Sequence, residues 1–219
     1  LWGTQQSNLR GDGKFDGVFG IWYGKGPGVD RAGDALKHVN LAGTSKYGGV
    51  LALMGDDHIC ESSTTSHQSE FAMIDAMIPF FNPSGVQEIL DYGLYGIQLS
   101  RKSGCWIGIK CVHDNVSSGA TVDLDENRFI IKEVSNDFYP KEGLNIRLQD
   151  TAQTKEHRLH YHKIKFVKEF CRINNLNQMI YESPNSKIGI VSTGKSFLDT
   201  KLALEKIGID QNLAKEIGI

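Results

Sequence analysis

An acid–histidine turn is the part of this sequence best placed to do chemistry. Asp56, Asp57 and His58 directly follow a continuous apolar run at residues 49–54, which is typical of a strand buried on both faces of a parallel sheet. Side chains just after such a strand lie at its carboxyl end, where open α/β sheets bind ligands. The turn could therefore ligate a metal or contact a cofactor, and a solvated acidic loop is the alternative.

The segment after this turn is rich in hydroxyl side chains and contains a second histidine. Binding and catalytic residues are concentrated in loops that a rigid scaffold holds in place. We therefore predict that the loop lines a site, with two histidines in catalytic roles and its other polar residues as cofactor contacts. The predicted residues are Asp57, His58, Ser63, Thr64, His67 and Gln68.

Glycine is concentrated in the first 47 residues, which are predicted to be mostly loop. Glycine at this density indicates sharp turns or a backbone held close to another group. One part of this stretch is predicted to be a backbone-rich loop that approaches a cofactor or substrate. Its residues are Lys25, Gly26, Pro27, Gly28 and Asp30.

The stretch from Gly189 to Ser196 satisfies the pattern G-x-x-x-x-G-K-[ST]. In a phosphate-binding loop the backbone N–H groups cradle nucleotide phosphates, and Lys195 would reach them. Such a loop follows a strand, whereas residues 183–186 are predicted to be a turn. Nucleotide binding at this stretch therefore remains an alternative function, and a non-catalytic scaffold module is a second one.

Three further histidines, His157, His160 and His162, lie close together in the sequence. No acidic residue or cysteine stands beside them at metal-ligand spacing, and Arg158 and Lys163 flank them. A solvated basic helix face is therefore favoured over a zinc site. No metal ligands are predicted elsewhere in the chain.

Composition excludes several classes of protein. The chain has 219 residues, of which 40% are apolar and 23% charged, so it can form one large domain or two small ones. A net charge of -2 gives no electrostatic reason to bind nucleic acid or an anionic membrane. No apolar run approaches the ~20 residues that span a bilayer. The four scattered cysteines are typical of reduced thiols, so the prediction is a soluble cytoplasmic protein.

The pattern of apolar segments predicts the elements that position these residues. Strands are predicted at residues 49–54, 78–83 and 105–112, with a helix at 71–77 and another that is capped by Ser84 and ends near Gly104. Strands and helices in this order predict a doubly wound, mostly parallel α/β sheet. Later segments predict a helix at 156–174 and a second α/β unit with a strand at 187–191 and a helix at 197–206.

Many stretches of the chain resemble the large fused indolepyruvate ferredoxin oxidoreductases, a thiamine-diphosphate-dependent family of 2-oxoacid:ferredoxin oxidoreductases. The similar stretches are residues 21–31, 40–45, 48–53, 55–58, 62–70, 83–88, 111–114, 143–147 and 189–196. A resemblance that spans nearly the whole chain is far more specific than a short motif. It implies an internal fragment of such an enzyme.

The resemblance implies three parts. Residues 1–125 would be a pyrimidine-binding-like thiamine diphosphate domain, 126–183 a linker with one helix, and 184–219 the start of a transketolase-C-like α/β domain. The complete enzyme would oxidatively decarboxylate a 2-oxoacid, indolepyruvate or another aryl or branched acid, to an acyl-CoA.

The same resemblance implies the cofactors and partners. The full-length enzyme would use thiamine diphosphate, Mg²⁺ and [4Fe-4S] clusters, with coenzyme A as acyl acceptor and ferredoxin as electron acceptor, and it would be a homodimer. The activating glutamate, the magnesium motif and the cluster cysteines are expected outside this chain. The fragment by itself would be inactive.

Overall fold

The computed structural model describes residues 1–62, 64–128 and 130–219, and in that part of the chain four parallel strands form one sheet in the order β1-β2-β4-β3. The strands are β1 (Phe19–Lys25), β2 (Gly49–Asp56), β3 (Phe80–Phe81) and β4 (Ile107–Val112). Helices on both faces complete the predicted doubly wound α/β fold, which is confirmed. The two long apolar strands β2 and β4 pair with each other in parallel.

Helices connect the strands and continue beyond them. Those around the sheet are α1 (Gly26–Arg31), α2 (Gly33–Ala42), α3 (Glu70–Asp75), α4 (Val86–Ser103) and α5 (His113–Val116). Those after it are α6 (Ala152–Arg158), α7 (Ile164–Ile173), α8 (Lys195–Lys206) and α9 (Gln211–Ile217). A π-helical turn at Leu159–Lys163 joins α6 to α7, so the predicted helix at 156–174 is confirmed.

The central strand β2 is apolar throughout because it is covered on both faces. Val50, Ala52 and Met54 pack in one cluster with side chains of α1, α2 and α3. Leu51 belongs to the other cluster, together with Leu99 of α4. Alternate residues of a strand point to opposite faces, so a continuous apolar run is what a doubly covered strand requires.

The first 47 residues are more regular than predicted. They contain β1, which adds an edge strand to the sheet, and also α1 and α2. The backbone-rich loop predicted around Gly26 and Gly28 is wrong, because both glycines lie in α1. Pro27 stands in the first turn of that helix, where its fixed φ favours the helical backbone and its missing N–H costs nothing.

The ends of α4 test two sequence predictions. Its C-terminus is as predicted, because Gly104 adopts a left-handed φ of 70° that ends the helix. The predicted N-cap at Ser84 is wrong, since the N-cap position is Gly85. The Glu88 carboxylate accepts the Ser84 backbone N–H at 2.6 Å, so a residue inside the helix satisfies this amide.

The strand predicted at residues 187–191 does not form. The backbone N–H groups of Lys187 and Ile188 both donate to the Gly218 carbonyl, at 2.7 and 3.1 Å, which ties this segment to the end of α9. Val191 is 98% exposed, and the segment has no ladder partner among the described residues. A strand needs a neighbour to pair with, and an apolar pattern alone does not supply one. The predicted helix that follows is confirmed as α8.

The segment between the sheet and α8 shares the core of the sheet. Phe166, Val167 and Phe170 of α7 belong to the same apolar cluster as Ile107 and Ile109 of β4. Burying three large side chains on one helix face is the usual source of stability for a short helix. The division of the chain into three parts remains a prediction.

Lys163 is the largest fully buried side chain of the described residues. Its Nζ donates to the Gly104 carbonyl at 3.0 Å, and a Cβ on Gly43 would lie 2.6 Å from that Nζ. Removal from solvent lowers the pKa of Lys163 from 10.5 to about 8, since burial penalises the charged form. The π-helical turn is thereby fixed to the two loops at the amino ends of β2 and β4.

No helix in the described part of the chain is long and apolar enough to cross a membrane. All four cysteines are free thiols. Burial raises the pKa of Cys105 and Cys111, and raises that of Cys171 to about 11. These three side chains therefore pack as neutral thiols, a form that is a poor nucleophile.

Substitution of Lys163 by Met should change how stability depends on pH. Because the pKa of Lys163 is about 8 in the fold and 10.5 as an ordinary lysine, the unfolded chain holds more protons on this group between those pH values. The free energy of unfolding of the native chain should therefore rise relative to that of Lys163→Met across this window. Urea unfolding of both chains at several pH values measures the difference, and a constant difference would contradict the buried amine.

Candidate functional site

The carboxyl ends of three strands meet at one edge of the sheet. In the parallel ladders Lys25 of β1 pairs with Gly55 of β2, and Asp56 of β2 pairs with Val112 of β4. The glycine-rich stretch after β1 and the acid–histidine turn after β2 therefore lie side by side. We call this region the carboxyl edge.

A buried carboxylate closes the loop that follows β2. The Asp56 side chain is fully removed from solvent, and it accepts the Ser69 backbone N–H at 3.0 and 3.2 Å and the Ser69 hydroxyl at 2.5 Å. Lys110 of β4 places its Nζ 3.7 Å from Asp56 Oδ2 and 2.8 Å from Glu70 Oε1. These four residues, Asp56, Ser69, Glu70 and Lys110, form what we call the Asp56 network. It fixes the two ends of the loop, residues 57–69, next to each other.

A second tie joins the loop to β1. Lys25 Nζ lies 3.0 Å from Asp57 Oδ2 and also donates to the Ser62 hydroxyl. The Asp57 carboxylate accepts backbone N–H groups from Glu61 at 3.1 Å and from Ser62 at 3.0 Å. The Ser62 N–H and the Lys25 ammonium lower the pKa of Asp57 to about 2. Lys25 and Asp57, both predicted to bind a cofactor, thus bind each other.

His67 packs directly on α1. A Cβ built on Gly26 would lie 2.1 Å from His67 Cγ, so only glycine leaves room for the imidazole. The His67 Nδ1 is buried and has no hydrogen-bond partner among the residues that the structure describes. A buried polar atom without a partner is costly unless a ligand satisfies it. This nitrogen is therefore the strongest candidate for ligand contact at the carboxyl edge.

The other predicted site residues lie on α1 and on the loop but contact little. A Cβ on Gly28 would meet nothing within 4 Å. The side chains of Asp30, His58, Thr64 and Gln68 are exposed and make no hydrogen bond within the described chain. The rest of the predicted set consists of Pro27, which is half-buried, and Ser63, which lies outside the described residues.

The sequence placed Asp56 in a candidate site but did not predict its contacts with Ser69, Glu70 and Lys110. Lys110 is only 7% exposed, yet it lies inside the apolar run that forms β4. A lysine in a strand covered on both faces needs a carboxylate partner, because an unpaired buried charge is strongly unfavourable. That signal pointed to a partner, but only the fold identifies it as two carboxylates from β2 and α3.

The three histidines of the histidine-rich turn, His157, His160 and His162, lie at the surface near one another. His157 and His160 are exposed, and the His157 ring packs on the rings of Tyr161 and His162, with centroids 4.8 and 5.4 Å apart. Across the described residues, no group of three or more His, Cys, Asp or Glu side chains could hold a metal ion. The exposure of His157 and His160 is what a solvated helix face requires.

The glycine–lysine pattern before α8 lacks the geometry of a phosphate-binding loop. Among the described residues no strand leads directly into Gly189, and a Cβ on Gly194 would lie 2.4 Å from Asn82 Oδ1, so the loop packs on the end of β3. Lys195 Nζ lies 2.7 Å from both carboxylate oxygens of Asp199. The nucleotide-binding alternative is therefore not favoured.

Two glycines of α1 provide a matched test of the His67 contact. Gly26→Ala should lower the free energy of unfolding by about 1–3 kcal/mol, because the new methyl group displaces a packed ring. Gly28→Ala points into open space and should stabilise the chain by up to about 1 kcal/mol through helix propensity. Urea unfolding of the two variants measures both effects, and equal losses would rule out the close packing of His67 on Gly26.

Comparison with known proteins supports the resemblance found in the sequence. Residues 178–219 match the family model described as the indolepyruvate oxidoreductase domain. The chain is 25% identical over 199 residues to the indolepyruvate oxidoreductase subunit IorA of Methanothermobacter marburgensis, an alignment that covers 91% of this chain and 31% of the relative. It is 28% identical over 195 residues to the same subunit of Pyrococcus abyssi, covering 87% and 29%.

The chain thus spans less than a third of the length of these curated relatives. No solved structure matches it at a significant level. The family model covers the last part of the chain, while the two relatives cover about nine-tenths of it. The chain is therefore similar to the subunit IorA of the indolepyruvate oxidoreductases, and the resemblance predicted from its sequence is confirmed.

Proposed function

We propose that the carboxyl edge is one wall of the active site of a thiamine-diphosphate-dependent 2-oxoacid oxidoreductase. The relatives are named as subunits of indolepyruvate oxidoreductase, so the substrate would be indolepyruvate or another aryl or branched 2-oxoacid. The complete enzyme would release carbon dioxide, pass electrons to ferredoxin and transfer the acyl group to coenzyme A. The observation that carries the proposal is the unpartnered Nδ1 of His67, which lies beside a glycine at the carboxyl edge.

The residues at the carboxyl edge suit the substrate side of such a site. The imidazoles of His58 and His67 and the hydroxyl of Thr64 can donate hydrogen bonds, which a carboxylate or a phosphate would accept. Asp57 and Asp56 are already engaged by donors, so neither is placed to ligate Mg²⁺. The described residues offer no ligand set for Mg²⁺ or a [4Fe-4S] cluster.

Thiamine diphosphate, when bound, supplies the electron sink that lets a 2-oxoacid lose carbon dioxide. The part that we assign to this chain is binding and orientation. His67 would donate a hydrogen bond to the substrate carboxylate and so orient the substrate toward the cofactor. Its ring is packed on Gly26 and so is pre-organised for that contact. His58, exposed on the same loop, would hold or deliver a proton at the reacting oxygen.

The proposal is tested in the full-length protein loaded with thiamine diphosphate. His67→Ala should lower kcat/KM for 2-oxoacid-dependent ferredoxin reduction by about a hundredfold, the usual scale for loss of a positioned catalytic histidine. His58→Ala should lower kcat more than it raises KM, because its role is in proton transfer. His160→Ala is the matched control, since this exposed histidine lies on the π-helical turn. An enzyme with no electron flow, or with kinetics unchanged by His67→Ala, would refute the proposal.

Lys195→Ala separates this function from nucleotide binding. Because Lys195 is paired with Asp199 and, among the described residues, no strand leads directly into its loop, the variant should keep the 2-oxoacid activity unchanged. Calorimetric titration of the native protein with ATP should show no binding heat. A heat that disappears in Lys195→Ala would instead favour a phosphate-binding loop.

A further inference from the structure

The Asp56 network connects a buried lysine to the loop that carries His67. We propose that Lys110 is a positioning residue for His67, acting through Asp56, Ser69 and Glu70. This inference rests on the proposed function, in which the His67 imidazole orients the substrate and must therefore be held in place. It goes beyond that function by naming the group that holds it.

The network joins one amine and two carboxyl groups that are largely shielded from water. The Lys110 side chain is 9% exposed, and its two carboxylate partners are 0% exposed for Asp56 and 25% for Glu70. Burial works against ionisation of Glu70, but the hydrogen bond from Lys110, a backbone hydrogen bond and the charge of Lys110 together keep the pKa of Glu70 below its ordinary value. One ammonium therefore holds together two carboxylates from different elements. Without it they would repel each other in a medium of low dielectric constant.

The two carboxylates lie on the two elements that border the loop, β2 and α3, so the distance between them sets the position of the loop. Asp56 ends β2, while Glu70 is the first residue of α3. Ser69, the N-cap residue of α3, is bound to Asp56 through both its backbone N–H and its hydroxyl. Repulsion between Asp56 and Glu70 would thus move the start of α3 away from the end of β2.

His67 has little else to keep it in place. It lies two residues before Ser69, and its Nδ1 makes no hydrogen bond in the described chain. Its ring position is therefore set by the backbone of residues 67–69 and by packing on Gly26. A shift of Ser69 would move the His67 imidazole away from Gly26 of α1. Lys110 would thus affect the site through these residues, without contacting a substrate.

A double-mutant cycle in the full-length, thiamine-diphosphate-loaded enzyme tests this coupling. Lys110→Met should lower kcat/KM for the 2-oxoacid by about tenfold, while in a His67→Ala background it should change kcat/KM less than about twofold, because residues acting as one unit are non-additive. Lys102→Met is the matched control. Lys102 lies in the last turn of α4, where its Nζ pairs with Glu133 Oε2 at 2.9 Å near the surface. Loss of this ion pair should leave kcat/KM unchanged.

A second readout does not depend on activity. Diethyl pyrocarbonate modifies accessible imidazoles, and the rate at each histidine can be followed by mass spectrometry. Lys110→Met should raise the modification rate of His67 severalfold, because the ring is released from Gly26. The exposed His38 of α2 is an internal control, and its rate should not change.

Ser69→Ala covers the case in which Lys110→Met does not fold. This variant removes one hydrogen bond to Asp56 and leaves the buried charges paired, so it should change both readouts in the same direction by a smaller factor. Additive effects in the cycle, or an unchanged modification rate at His67, would overturn the inference. If His67→Ala has normal kinetics, the proposed function fails, and the modification rate still decides whether Lys110 positions the ring.

Discussion

The Asp56 carboxylate lies at the end of the central strand, fully removed from solvent, and the geometry of the carboxyl edge depends on it. It binds Ser69 through two donors and lies beside the Lys110 ammonium, so a loop of residues 57–69 begins and ends at the same point. A buried carboxylate is tolerated only when donors satisfy it. That requirement selects one closed form of the loop.

The sheet provides the surface against which the loop closes. Because β2 pairs in parallel with both β1 and β4, residues that are distant in the sequence end at one edge. Two further contacts, Lys25 with Asp57 and Gly26 with His67, then tie the loop to the start of α1. The loop is thus held by three contacts, one with Lys25, one with Gly26 and one with Asp56.

The similarity to subunits of the indolepyruvate oxidoreductases is consistent with our proposal that the carboxyl edge forms one wall of a larger active site. The chain spans less than a third of its curated relatives, and its carboxyl edge offers hydrogen-bond donors but no set of metal ligands among the described residues. A site built from several parts of a long chain leaves each part with only some of the chemistry. The Nδ1 of His67, buried and without a hydrogen-bond partner among the described residues, is the atom at which we propose a ligand contact.

Local sequence determined the buried strands at β2 and β4, the helix that ends at Gly104, and the position of the acid–histidine turn at a strand end. These features follow from apolar periodicity and from the conformation of glycine, both of which depend on residues close together in the sequence. Tertiary structure alone decided that residues 187–191 remain unpaired, that Gly26 begins a helix against His67, and that Lys110 joins two carboxylates. Strand pairing and buried charge networks need partners that are distant in the sequence, and only the folded chain brings them together.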